Sequence, residues 1–436
     1  MKKNNCPEGP MAATPNHRPW FRTRMAIQSV CIAALLLVGF LAGVGVTSYR
    51  MDGESAGASS SFLDAPEFQV LQETWDLAHD QYVESETIDD ADLIYGAAAG
   101  MVSALGDENH SRFLAPEEAE SYDQSLRGEL TGIGVYLDYL GPEPVITRPI
   151  EGGPAIAAGI QSNDVIISVD GEPTKGLEGV AVGESLRGEA GTQVVVEIHR
   201  PESEETLTFT LTRAEIKIDP VTWGMLPDGV AHIRLVQFTG GSLDEMKQAI
   251  QEARAAGATA IILDLRDNPG GLVNEAIGIA SEFLPLNEVI YKERNRDGVV
   301  SVKRTLPGQS AVDLPLVVLI NEYSASAAEI LAGAIRDNDR GLLIGETTLG
   351  TGTVLSQFDI SNGATVLLGT DLWLTASGDQ IWKIGVEPDE VVALPDDVAP
   401  TIPELDPDVT EEELDASEDT QLQAAHDEVM SVASAP

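Results

Sequence analysis

The 436-residue chain has two cysteines, Cys6 and Cys31, and none beyond them. Disulfides therefore do not staple its body, and a thiol nucleophile is excluded there. Its six histidines are scattered without ligand spacing, so no metal or cofactor is implied. Basic residues are scarce: 26 Lys and Arg face 71 Asp and Glu, for a net charge of −45. The first fifty residues hold six Lys/Arg against one Glu, so the remainder carries −50. So acidic a body argues against nucleic acid or anionic lipid as a partner. It fits a salty medium and a merely soluble acidic surface equally well.

Long apolar runs number one, Met25–Val46. Its length suffices to cross a bilayer core of roughly 30 Å. Lys2, Lys3, Arg18, Arg22 and Arg24 precede it, which predicts a single-pass anchor with the N-terminus cytoplasmic and the body extracytoplasmic. The rival reading is a cleaved signal peptide using Ala56-Gly57-Ala58, which lies far past the apolar core. Residues 1–24 then form a basic cytoplasmic tail, 25–47 the anchor and 48–64 a Gly/Ser/Ala linker.

What is present in strength runs from Ala260 to Leu355. Ala260–Leu265 and Leu316–Ile320 are short, Ile/Val/Leu-rich and bounded by polar turn residues, the pattern of buried parallel strands. Each is followed by a turn and an alanine-rich helical pattern, Leu272–Phe283 and Ala327–Arg336. In this layout ligands sit beyond the carboxyl ends of the strands. Asn268-Pro269-Gly270-Gly271 and Ser324-Ala325-Ser326-Ala327 both fall there. A serine at one helix start, facing a glycine pair at the other, suits acyl transfer, because free helix-start N–H groups favour an oxyanion. Ser326-x-x-Glu329 also has the form of a capping box, and Pro-Gly-Gly that of an ordinary turn.

LDLRDNPGGLVNEAIGIASEFLP and SASAAEILAGAIRDNDRGLLIGE resemble the signature segments of the C-terminal processing peptidases, or tail-specific proteases. The resemblance runs from about Phe68 to Val392. It implies a ClpP/crotonase-like α/β catalytic core, a PDZ domain that captures substrate tails, and a serine nucleophile with a lysine base. The nucleophile carries over to Ser326. The oxyanion donors carry over to backbone N–H groups of Gly270 or Gly271 and of Ala327.

The lysine does not carry over. Where the family resembles GxxTxGKGxVQ, this chain reads Gly345 to Leu355 as GETTLGTGTVL. The base position is Thr351, and the position of the glutamine that would orient the lysine is Leu355. A threonine hydroxyl cannot accept a proton near neutral pH, and a serine nucleophile needs an adjacent base. Either another residue supplies the base or the site is impaired. Lys383, the last Lys or Arg in the chain, is a substitute only if the fold brings it to Ser326. His110, in Asp107–Phe113, resembles a family histidine retained beside the lysine, which favours a structural role.

The remaining chain is expected to order itself around this core. Residues 65–127 read as a helical segment whose apolar face (Phe68, Leu71, Trp75, Ala78, Tyr82) packs on the core or pairs protomers into a homo-oligomer. Residues 128–213 resemble the PDZ module, with Gly132, Ile133, Gly134 and Val135 as its carboxylate-binding loop and strand. The catalytic domain occupies 214–395. Residues 396–436, with twelve acidic residues by Asp427, read as a mobile, solvated tail that closes with a short helix over Leu422–Val432. Together these imply an exported, membrane-anchored serine endopeptidase that takes polypeptides with free apolar C-termini. The alternative is a catalytically impaired peptide-binding scaffold, favoured by Thr351 and Leu355. An acyl-CoA enzyme with the same core is disfavoured by the PDZ-like insert.

Overall fold

The computed structural model describes residues 67–434 apart from 108–109, 139–143, 151, 176, 178, 202, 204, 396–397, 399 and 404–408. The expected anchor and linker lie outside the described residues. Among the described residues no helix is long and apolar enough to cross a membrane. The expected single-pass membrane placement is therefore not supported.

Helices α1 (Phe68–Gln81) and α2 (Asp90–Ser103) come first, followed by the short strand β1 (Arg112–Leu114) and helix α3 (Pro116–Leu126). Pro116 opens α3, where its missing N–H costs nothing. Neither α1 nor α2 contains a fully buried residue, and Leu71, Leu77, Tyr82, Ile94 and Met101 stay exposed.

The next module holds β2 (Glu129–Gly132), β3 (Val135–Asp138), β4 (Val145–Pro149), α4 (Pro154–Ala158), β5 (Val165–Val169), β6 (Glu172–Pro173), α5 (Gly179–Leu186), β7 (Gln193–Arg200), β8 (Glu205–Thr212) and β9 (Ala214–Lys217). Its main sheet runs β3-β4-β5-β7-β8, with β6 on β5, while β2 pairs with β9. Ile133, Ile146, Ile166, Val182, Leu186 and Val196 make its core. Asn163 takes φ 69° in the turn before β5, a conformation that asparagine tolerates.

The largest body is built from β10 (Val221–Leu226), β11 (Val230–Leu235), α6 (Ser242–Ala255), β12 (Ala260–Asp264), α7 (Val273–Phe283), β13 (Val289–Asn295), β14 (Val300–Arg304), β15 (Leu316–Ile320), α8 (Ala327–Asp337), β16 (Leu342–Gly345), β17 (Thr353–Asp359), β18 (Thr365–Leu374), β19 (Glu390–Val391), α9 (Glu411–Ala416) and α10 (Thr420–Ser434). One sheet runs β10-β11-β12-β15-β16-β19 and is parallel except for β10. A second runs β1-β18-β13-β14, with β17 also on β18.

Every residue of β12 and β15 is buried, because helices cover both faces of the parallel sheet. Ile261, Leu263, Leu316, Val318 and Ile320 face α6, α7 and α8 through Met246, Ile250, Phe283, Ile330 and Leu331. Ala260, Ile262, Val317, Leu319 and Ile344 face Leu414 of α9 and Leu422, Ala425 and Val429 of α10. The C-terminal segment is thus a third layer of the core, which corrects the expectation of a mobile tail. Its acidic residues leave one apolar helical face intact, and composition averaged over the segment conceals that face.

Candidate active site

Strands β12 and β15 lie side by side and in parallel, so the loops leaving their carboxyl ends emerge together. Four hydrogen bonds lace those loops, one of them from the Asn321 amide to Asp267 Oδ1 at 2.8 Å. The Ala325 N–H donates to the Asn268 carbonyl at 2.9 Å. The Ser324 hydroxyl donates to the Leu265 carbonyl at 2.8 Å, and the Asp267 N–H to Asn321 Oδ1 at 2.9 Å. Asn268 is fully buried; its amide donates to the Leu235 carbonyl at 2.7 Å, and its Oδ1 accepts the Gly270 N–H at 2.8 Å.

Ser326 is half-buried at the start of α8 with φ 56° and ψ −115°. An N-cap serine sits in the β region and turns its hydroxyl onto the helix. Ser326 does neither, since its side chain makes no cap hydrogen bond. Such backbone strain, of order 1–3 kcal/mol, resembles that of a nucleophile held on a sharp strand-to-helix turn. Gly270 packs directly against this turn: a methyl carbon there would lie 2.6 Å from Ser326 Cβ and 2.9 Å from the Ala327 nitrogen.

The two glycines divide their tasks. The Gly270 N–H is committed to Asn268, so this member of the expected donor set does not point at a substrate. Gly271 bridges to Phe238 through its neighbours, with Phe238 N–H on the Gly270 carbonyl and Leu272 N–H on the Phe238 carbonyl. The N–H groups of Gly271 and Ala327 make no hydrogen bond among the described residues.

Glu329 fastens this arrangement from below. Its carboxylate is fully buried and accepts five bonds: from the Ser326 N–H (2.8 Å), the Thr351 N–H (2.9 Å) and hydroxyl (2.8 Å), the Gly350 N–H (2.7 Å) and the Thr348 hydroxyl (2.6 Å). Burial pushes its carboxyl above the ordinary range, and the five donors only partly offset this. Sequence analysis sees Glu329 only as half of a capping box. That half is real, but the larger role depends on 348–351 folding back from far along the chain.

Thr351, the position aligned with the family lysine, lies beside Ser326. Its hydroxyl accepts the Ser326 N–H at 2.6 Å while donating to Glu329. Both functions of the oxygen are therefore used in holding the turn. Leu355 packs against the cluster of Leu114, Ala119 and Leu367. Lys383 is exposed; its N–H donates to the Gly350 carbonyl, and its ammonium lies 5.4 Å from the Trp382 ring centre. His110 packs against the same indole with ring centres 5.1 Å apart and planes tilted by 52°, and burial holds its imidazole below the usual pKa.

In the smaller module, β3 is the last strand of its sheet, and α5 packs beside it through Val182 and Leu186 against Ile133. The strand presents an edge to which a peptide can add. Ile133 itself is buried, so within Gly132–Val135 its role is to seat the loop.

The model of peptidase family S41 matches residues 229–392, and that of the PDZ domain matches residues 145–200. The carboxyl-terminal-processing protease of Synechocystis sp. is 37% identical over 345 residues, 77% of this chain and 79% of that protein. This chain belongs to the carboxyl-terminal-processing proteases of peptidase family S41. The carboxy-terminal processing protease CtpA of Bacillus subtilis is 34% identical over 357 residues, 81% of this chain and 74% of that protein. Among solved structures, the photosystem II D1 C-terminal processing protease superposes with a TM-score of 0.51 at 31% identity, covering 77% of this chain and 94% of that one. The fold is thus the mixed α/β fold of S41 proteases carrying a PDZ domain, and the family is one of serine-type hydrolases.

Proposed function

We propose that this S41 chain is a serine endopeptidase acting on protein tails. An apolar C-terminus adds to the edge of β3 in the PDZ module, with its carboxylate at the Gly132–Val135 loop. Ser326 Oγ attacks a backbone carbonyl of the captured chain, and the developing oxyanion accepts the N–H groups of Gly271 and Ala327. The C–N bond then breaks, the amine leaves carrying the proton that Ser326 gave up, and water adds its hydroxyl to the acyl group and its proton to Ser326 Oγ. The reading rests on one observation: Ser326 is strained out of the capping conformation at a helix start, opposite the glycine turn.

Thr351 does not take the serine proton, since a hydroxyl is not basic near neutral pH and this one is already committed. Without a lysine there, turnover is expected to be lower by about 10²–10⁴ than in an otherwise equal site. The test compares wild-type chain with Ser326→Ala on a peptide bearing an apolar C-terminus. Cleavage that disappears in the variant supports the reading; equal inertness with measurable peptide binding overturns it. Thr351→Lys is expected to raise turnover, because Glu329 still accepts the Ser326 N–H when the threonine hydroxyl is gone.

A further inference from the structure

Behind the site, on the sheet face covered by α10, lies a buried polar cluster that the proposed chemistry does not use. Arg266, 1% exposed, stands two residues beyond β12. Its Nε and Nη2 donate to the two oxygens of Asp264 at 3.0 and 2.7 Å, and His232 Nε2 meets Asp264 at 3.0 Å. Burial alone would raise the Asp264 carboxyl; Arg266 and His232 outweigh it and hold the group well below the usual carboxylate range. Arg266 Nη1 donates to both oxygens of Asp419, at 2.9 and 3.0 Å, and to Gln421 Oε1 at 3.3 Å.

Asp419 and Gln421 stand where α10 begins. Asp419 accepts the Leu422 N–H at 3.0 Å and the Thr401 N–H at 2.8 Å. The fully buried Gln421 donates to Glu346 Oε2 at 3.3 Å and to the Val392 carbonyl at 2.9 Å. These two residues thereby reach both loops that frame Ser326. Arg266 leads directly into Asn268-Pro269-Gly270-Gly271, while Glu346 opens the stretch that carries Thr348, Gly350 and Thr351 to Glu329. The matched S41 region ends at residue 392, so the brace lies beyond it.

We propose that Asp419 and Gln421 are positioning residues of the peptidase site, bracing its two loops from the far side of the sheet. Forked guanidinium–carboxylate bonds are directional as well as strong, so the Asp264–Arg266–Asp419 chain sets the orientation in which β12 releases the glycine turn. Neutralising Asp419 leaves Arg266 short of a buried counter-charge, and the strand end shifts to relieve it. The catalytic consequence rests on Ser326 being the nucleophile; the bracing itself does not.

The experiment measures hydrogen exchange, segment by segment, in full-length Asp419→Asn and Gln421→Ala, with steady-state kinetics beside it. Exchange in residues 266–272 is expected to rise at least tenfold in Asp419→Asn, and in residues 346–352 in Gln421→Ala. The β7–β8 hairpin should be unchanged, and kcat should fall at least tenfold with KM preserved. Unchanged exchange in these segments, or a rise spread evenly over the chain, overturns the proposal. So does local loosening with kcat intact in an active enzyme. If wild type and Ser326→Ala prove equally inert, the peptidase reading fails while exchange still decides the brace. Should Asp419→Asn not fold, Asp419→Glu, which keeps the counter-charge to Arg266 but displaces the fork, is read by the same criteria.

Discussion

Gly270 offers the sharpest test of how the site is held. A methyl group added there would lie 2.6 Å from Ser326 Cβ, 2.8 Å from the Ala325 carbonyl oxygen and 2.9 Å from the Ala327 nitrogen. Two of these atoms are backbone, so no side-chain rotation relieves the clash. Overpacking of this kind costs about 1–3 kcal/mol. Residue 270 also sits at φ +93°, where an L side chain costs roughly 1–2 kcal/mol more. Gly270→Ala is therefore expected to destabilise the catalytic domain by about 2–5 kcal/mol. Retreat of the Ser326 turn should also misalign the Ala327 N–H, a loss worth about 10²–10³ in kcat. Urea unfolding and peptide cleavage measure the two effects. Gly257 separates the causes, since it has φ +98° but nothing within 4 Å of an added methyl. Gly257→Ala should show the conformational cost alone and keep full activity. If Gly270→Ala loses no more stability than Gly257→Ala and cleaves normally, the close approach of the two turns is wrong.

Further expectations follow from buried groups. Because burial raises the Glu329 carboxyl, it takes up a proton at higher pH than an ordinary glutamate, and cleavage should fall on the acid side already above pH of about 4.5. Glu329→Gln should remove that limb together with most activity, as each donor left unpaired costs about 1–3 kcal/mol. His110 is depressed, chiefly by burial, so as pH drops below about 6.5 the unfolded chain binds a proton that the native state resists. Stability should decline through that window, and His110→Phe should flatten the decline in thermal unfolding curves. Leu422→Ala, at a fully buried position of α10, should cost about 2–5 kcal/mol; a cost below 1 kcal/mol would show that α10 does not cover the sheet.

The central strands and the helices that follow them are written in the local pattern of residues. Strands such as AIILD and LVVLI are buried at every position and apolar except at Asp264, because both sheet faces are covered, and a run of that kind is legible without coordinates. The helix start at Ala327 was legible from the turn before it, the other was read one residue early at Leu272, and Thr351 was singled out by the resemblance of GETTLGTGTVL to the family segment. Tertiary structure decided the rest, because the decisive partners are remote in sequence. Which glycine N–H stays uncommitted depends on the Asn268 side chain reaching back to Gly270 and across to Leu235. The status of Thr351 depends on Glu329, twenty-two residues earlier. The acidic C-terminal stretch misled because composition averages over a helix, whereas burial acts on one face of it. Only a sheet surface of Ile262, Val317 and Leu319 waiting for Leu422, Ala425 and Val429 makes that segment part of the core.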